Sequence, residues 1–441
     1  MKSRFSFNAL SSTCLLLALI NLGGCDKLFE QPKQAEQTEA RIEVNSESLL
    51  SATNLYVYTQ MSDALSKAQE LDAIITSFLH HPNPLALEEA QKAWISAYSA
   101  YVKVGFFANV PRFEKPQFRE NNETYAHIQE RVDSWPIEPG YIDYLPLYPL
   151  SGIVNDLTLK MNETDISAQH GFSDMRFASL GFHPMEFLLF GVNGKRSAKD
   201  FIPQENSVEV VNADTVVKQD GSDEAVENEE SHPEGETEAH GDHVHVQVDG
   251  PQNHNRRRDY LRILSALVVK NLQKLADRWE PAHGYYAKQW RQPQPAQQTA
   301  NLTLIYQALI DTLQDVLLEK HLGPLMRQKQ VDDLRSPFSQ QDVTNMQDVI
   351  VGIENVFNME NGLNNEIKIQ QAEVADKIIA QFKRLIRDIG KLPTNIASLP
   401  LQKRQALLEP IQQKVVQLLE QLYGAAEVLS LPIRALPVST T

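Results

Sequence analysis

The chain has 441 residues, 42% of them hydrophobic, with 19 Gly, 23 Pro and 2 Cys. Hydrophobic content near the globular average excludes a wholly disordered chain, and glycine without a three-residue period excludes collagen. Two cysteines cannot build a disulfide framework or a Cys-rich zinc site. The formal charge of −16, from 57 acids against 41 bases, argues against a nucleic-acid partner, because that affinity rests on neutralising phosphates with Lys and Arg.

Residues 1–25 combine a charged start (Lys2, Arg4), an apolar run through Leu15–Ile20, and Leu22-Gly23-Gly24-Cys25. The run is shorter than the roughly 20 residues that span a bilayer and suits a secretory signal peptide. An ending in Leu-Gly-Gly-Cys resembles the bacterial lipobox, which makes Cys25 the expected lipidated first residue of the mature chain. Each buried acyl methylene contributes about 0.8 kcal/mol, so two or three chains on one Cys anchor firmly. Residues 26–45, rich in Gln, Glu and Lys, read as a flexible tether. The expected location is the cell envelope, facing the periplasm, with the choice of inner or outer membrane left open.

From Ser46 to Phe78 apolar residues recur at helical spacing (Leu49, Leu50, Met61, Leu65, Leu71, Ile75, Phe78) until His80-His81-Pro82-Asn83-Pro84 breaks the pattern. A second helix carries Leu87, Trp94, Tyr98 and Tyr101 on one side. The stretch 108–170 has weak periodicity and reads as short helices with long loops. Next comes the densest chemical signal, Gly181-Phe182-His183-Pro184-Met185-Glu186-Phe187-Leu188-Leu189-Phe190-Gly191. Pro184 fits a first helical turn, where a missing N–H costs nothing. His183 and Glu186 then share a face, and imidazole plus carboxylate suit zinc or a transition metal. On spacing alone, a chance His–Glu pair is the commoner explanation. The run is not a zincin or inverzincin signature, because Phe187 stands where the latter needs a second His.

Residues 205–249 hold fourteen acids against a single base, Lys218, a net of −13 that leaves only −3 for the rest of the chain. Such a segment cannot repay the entropy of ordering and is expected to be disordered. His240, His243 and His245 within it form a weak, exchangeable metal-binding run, or are incidental to a solvated acidic loop. Beyond it, Arg256–Trp279 is a clear amphipathic helix. Pro281 and the polar run Gln292–Thr299 suggest a boundary, after which Leu302–Leu318, Asp342–Phe357, Ile367–Ile389 and Leu401–Leu429 read as helices. The expected fold class is all-α, as two helical bundles packed together: residues 46–290 with the insertion at 205–255, and residues 296–437.

Gly-x-His-x-x-Glu followed by Phe-Leu-Leu-aromatic-Gly resembles the signature of the imelysin family. The Ala93-Trp94 helix, the segment Arg131–Tyr144 with Trp135-Pro136, the helix from Arg258, and Asp342–Phe357 with Asn345 and Asn355 agree with it in order. The resemblance implies an all-helical, two-bundle cell-envelope protein, often encoded with iron-uptake functions, in which His183 and Glu186 are proposed to bind metal. It suggests that Arg131, Asp133, Trp135 and Asp143 line the cleft near His183, although an aromatic before Pro is more usually a packing corner. Members closer to the peptidase namesake carry a Glu where this chain has Gly105, which weakens a peptidase reading. The leading expectation is a lipoprotein that binds a metal ion or metal chelate, with iron ahead of zinc or copper. It would pass cargo to iron-transport components rather than transform it. The rivals are a metal-dependent peptidase and a structural or adaptor lipoprotein.

Overall fold

The computed structural model describes residues 44–107, 110, 123–203, 253–291, 294–327 and 334–434. Cys25, the tether and the insertion histidines His240, His243 and His245 lie outside them. Among the described residues the regular structure is helical, with one isolated bridge between Leu145 and Tyr148. No helix there is long and apolar enough to cross a membrane.

Helix α1 (Ser46–His80) starts where the Asn45 side chain accepts the Ser48 N–H at 3.2 Å, satisfying one of the orphan donors of a helix start. Its stripe of Leu49, Val57, Met61, Leu71, Ile75 and Phe78 is buried. The Pro82/Pro84 break ends it. Asn83 caps α2 (Pro84–Gly105), with Pro84 in its first turn. Both pack on α7 (His254–Trp279) or its neighbours, and α1 touches α2 and α7 along its length. The region of weak periodicity holds short helices as expected: α3 (Tyr125–Glu130), α4 (Pro139–Ile142) and α5 (Glu163–Ala168). The signature forms α6 (Phe182–Phe190), a nine-residue helix buried on every side.

After α8 (Tyr285–Trp290), α9 (Pro295–Asp311) runs directly into a π-helical segment, Thr312–Leu322, and then α10 (Gly323–Arg327). The sequence predicts one helix over Leu302–Leu318; the eleven-residue π segment is invisible to a 3.6-residue period. Helix α11 (Asp342–Asn358) matches its expected range. The single helix expected over Ile367–Ile389 is instead α12 (Leu363–Gln370) and α13 (Ala372–Ile389), broken at Gln371 with φ −147° and ψ 85°. The apolar stripe stepping back from Ile389 through Phe382, Ile378 and Ala375 would next bury position 371. A polar Gln stands there and stays exposed. Helix α14 (Leu401–Val428) closes the second half against α13.

Helices on both sides of residue 290 belong to one compact unit with a continuous apolar core. Helix α2 crosses α11 closely. A Cβ on Gly352 would overlap the Lys103 backbone carbonyl, so only glycine permits this approach. The crossing brings α2, the signature and the segment before α11 to one place.

Candidate functional site

Helix α6 begins at Gly181, with φ +100°. A Cβ at Gly181 would lie 2.6 Å from the Val132 carbonyl oxygen, which also accepts the Phe182 N–H at 2.9 Å. The first residue of the signature is therefore fixed by backbone conformation and by close approach to the Arg131–Trp135 segment. That approach sets His183 beside Asp133.

His183 is fully buried, and both ring nitrogens face carboxylates. Nε2 is 3.0 Å from Asp133 Oδ1, and Nδ1 is 3.4 Å from Glu186 Oε2. The Tyr98 hydroxyl from α2 donates to Asp133 Oδ1 at 3.1 Å and lies 3.1 Å from His183 Nε2. Trp135 covers the imidazole, with ring centroids 4.8 Å apart. A singly protonated ring serves one carboxylate as donor, and a doubly protonated ring serves both.

The other half of the chain completes this cluster. Arg335, in the segment leading to α11, donates to Asp133 Oδ2. Ser339 gives both its backbone N–H and its hydroxyl to Glu186 Oε1, at 2.8 and 2.6 Å. Burial works against the Asp133 charge, but the Arg335 guanidinium and the hydrogen bonds from His183 and Tyr98 outweigh it and hold the carboxyl below its usual range. Asp342, buried and accepting the Ser336 N–H at 3.1 Å, moves the other way: burial, reinforced by the Glu186 charge, pushes it up to about 6.

Above this network lies a cavity of about 370 Å³, lined among others by Tyr98, Tyr101, Asp133, Trp135, His321 and Arg335. His321 comes from the end of the π segment. Burial, with the Arg335 charge adding to it, pushes its imidazole down to about 3, so it is neutral. Gly105 also lines the cavity, where a Cβ would touch the Tyr101 ring at 3.4 Å.

Asp133 and Trp135 therefore join His183 and Glu186, and two other expected cleft residues do not. Arg131 turns to Glu123, with Nη1 at 2.7 Å from Oε1. Asp143 is fully buried elsewhere, clasped by Arg257 of α7 through Nε at 2.6 Å and Nη2 at 2.9 Å, with Arg196 at 3.1 Å. The two guanidiniums capture its carboxylate in a separate ion cluster. The expectation that Arg131 and Asp143 line the His183 cleft is corrected accordingly. Sequence reasoning missed Arg335, Ser339, Asp342 and His321, and saw Tyr98 and Tyr101 only as an apolar helix face. Only the Tyr98/Tyr101 spacing on α2 carried any signal; Arg335-Ser336-Pro337-Phe338-Ser339 has no periodicity to read.

As arranged, the carboxylates of Asp133 and Glu186 sit against opposite nitrogens of one ring and do not converge on a common point. Among the described residues no group of three or more His, Cys, Asp or Glu side chains is placed to hold a metal ion. The cluster instead presents Tyr98, Asp133 and Arg335 to the cavity.

No curated protein sequence matches the chain. Its fold is similar to the crystal structure of a protein provisionally described as an iron-regulated protein A precursor, from Parabacteroides distasonis. The TM-score is 0.57 at 13% identity, covering 89% of this chain and 96% of that one. The Imelysin family model matches residues 57–423, from α1 through most of α14. With the signature on α6 set under the cavity and a match over most of its length, the chain belongs to the imelysin family.

Proposed function

We propose that this protein is a lipid-anchored, periplasm-facing binding protein of the cell envelope that takes up a metal ion or metal chelate in iron uptake or homeostasis. The observation that carries this reading is the cavity lined by Asp133, Trp135 and Arg335, next to the buried His183–Glu186 pair. Four segments far apart in sequence are held there by buried hydrogen bonds, which is costly unless the site is used. Family membership and the likeness to an iron-regulated protein support iron as the cargo metal. Cargo sits in the cavity, and His183 and Glu186 hold its floor in shape. The acidic insertion with His240, His243 and His245 is a low-affinity collector, and Cys25 is the anchor.

A hydrolytic role would call for about three protein ligands converging on one metal beside a water, and the carboxylates around His183 diverge, so binding is preferred to peptide cleavage. The test is calorimetric titration of the full chain with ferrous ion, zinc and a ferric chelate, compared with His183→Ala. Loss of tight binding in a variant that keeps its helical circular dichroism supports the proposal. Unchanged affinity overturns the assignment of His183. Retention of Cys25→Ser in the membrane fraction would overturn the anchor.

A further inference from the structure

The cavity holds buried donors without acceptors. The carboxylate deepest in its lining is engaged inside the protein. Asp133 Oδ1 receives His183 and Tyr98, and Oδ2 receives Arg335. The Thr312 hydroxyl donates to the Ala308 carbonyl at 2.7 Å, and Ser134 Oγ lies 3.3 Å from His170 Nε2. Three lining side chains hold donors to spare. Arg335 has five N–H groups, and beyond Asp133 and Tyr98 they have no partner among the described residues. The Tyr101 hydroxyl is buried and its O–H has no acceptor; Gln129 beside it approaches as a donor and gives an amide N–H to the Gly105 carbonyl at 3.1 Å. His321 is 3% exposed, and its Nδ1 is also buried without a partner.

Buried polar groups left unpaired cost free energy, and a native protein tolerates them where a ligand completes them. The volume is that of a small-molecule site and far exceeds a bare ion. Trp135, Tyr98 and Phe106 supply apolar walls, while the rim carries one exposed charge of each sign, Lys320 and Glu130. Selectivity is therefore set inside.

Building on the binding role proposed above, we infer that the cavity recognises its cargo through acceptor oxygens: a small carboxylate-bearing anion, free or as the organic shell of a metal chelate. Arg335 meets a carboxylate with its unspent N–H groups, the Tyr101 hydroxyl donates to a second oxygen, and His321 donates from Nδ1 as the corresponding neutral tautomer. His183 touches no cargo atom in this arrangement; it is a positioning residue that holds Asp133, and through it Arg335.

The experiment is titration calorimetry on the full chain with three probes: citrate, ferric citrate and ferrous ion alone. Wild type is compared with Tyr101→Phe and His321→Leu, each of which deletes a buried donor that has no protein acceptor. Both variants should keep or raise the thermal midpoint. Each should weaken the carboxylate probes about fivefold to tenfold, the worth of one hydrogen bond. Equal binding of citrate and ferric citrate makes the free anion the ligand, whereas binding of ferric citrate alone makes it the chelate, and either supports the inference. Wild-type affinity for the carboxylate probes in both variants overturns it. Tight ferrous binding that is lost in His183→Ala, with no carboxylate binding, overturns it while leaving the binding role intact. No binding by any probe overturns both.

Discussion

Two buried ion networks touch the signature helix and differ in how completely their groups are paired. Around Asp143 the network is nearly closed. Arg257 and Arg196 face Asp143 and Asp200; Arg257 also donates to the Asp200 carbonyl at 3.0 Å, and Arg196 to the Phe187 carbonyl at 3.2 Å. Tyr144 donates to Asp200 at 3.1 Å and lies beneath both guanidiniums, 5.0 and 5.4 Å from its ring centroid. Two carboxylates balance two guanidiniums, with only Arg196 Nε unpartnered among the side-chain atoms. Around His183 the network is open: Arg335, Tyr101 and His321 keep donors in reserve beside a cavity, and Asp342 is held at about 6. A closed network pairs its buried groups; an open one leaves buried donors unpaired, at a cost in stability.

The largest expected effect breaks the closed side. Arg257→Ala leaves Asp143 buried with half its compensation, so urea denaturation should report a loss of about 3–5 kcal/mol. A loss within that of an exposed substitution would mean that the two networks do not differ as described. The second effect tests the strain in the open side. The folded pKa of Asp342 lies above its unfolded value, so the stability tied to it is complete below about pH 4 and is lost as pH rises through about 6. Asp342→Asn, which still offers an acceptor to the Ser336 N–H, should gain on the order of 2–3 kcal/mol over wild type at pH 7.5. At pH 4 it should gain little, and equal differences at the two pH values would contradict this. His321 acts in the opposite sense. Its folded pKa is depressed, so its stability is complete above about pH 6.5 and lost as pH falls. His321→Leu should therefore resist acid better than wild type in thermal melts between pH 6.5 and 4. The smallest effect is that of Tyr101→Phe, within about 1 kcal/mol of wild type and on the stabilising side. A clear loss would reveal a partner for that hydroxyl and close the open network.

The helices were legible because burial on one face leaves a period in the sequence. Ser46–Phe78, Arg256–Trp279 and Asp342–Phe357 lie within one or two residues of α1, α7 and α11. His183 and Glu186 were legible as a pair because three residues is a helical spacing. The π segment was not, since its period matches no amphipathic template. The break at Gln371 could have been read, as a polar residue standing in the place of a stripe position.

What the sequence determined by itself is therefore local or compositional: the helical class, the signature with its glycine, and the acidity gathered into 205–249. Only the tertiary structure decided what His183 meets. Asp133 lies 50 residues before it, Tyr98 85 residues before it, and Arg335 reaches Asp133 across 202 residues. No periodicity links such positions. They meet because Gly181 lets α6 lie against Val132 and Gly352 lets α11 lie against α2. The same packing sets Asp143 away from the site, against the buried guanidiniums of Arg257 and Arg196.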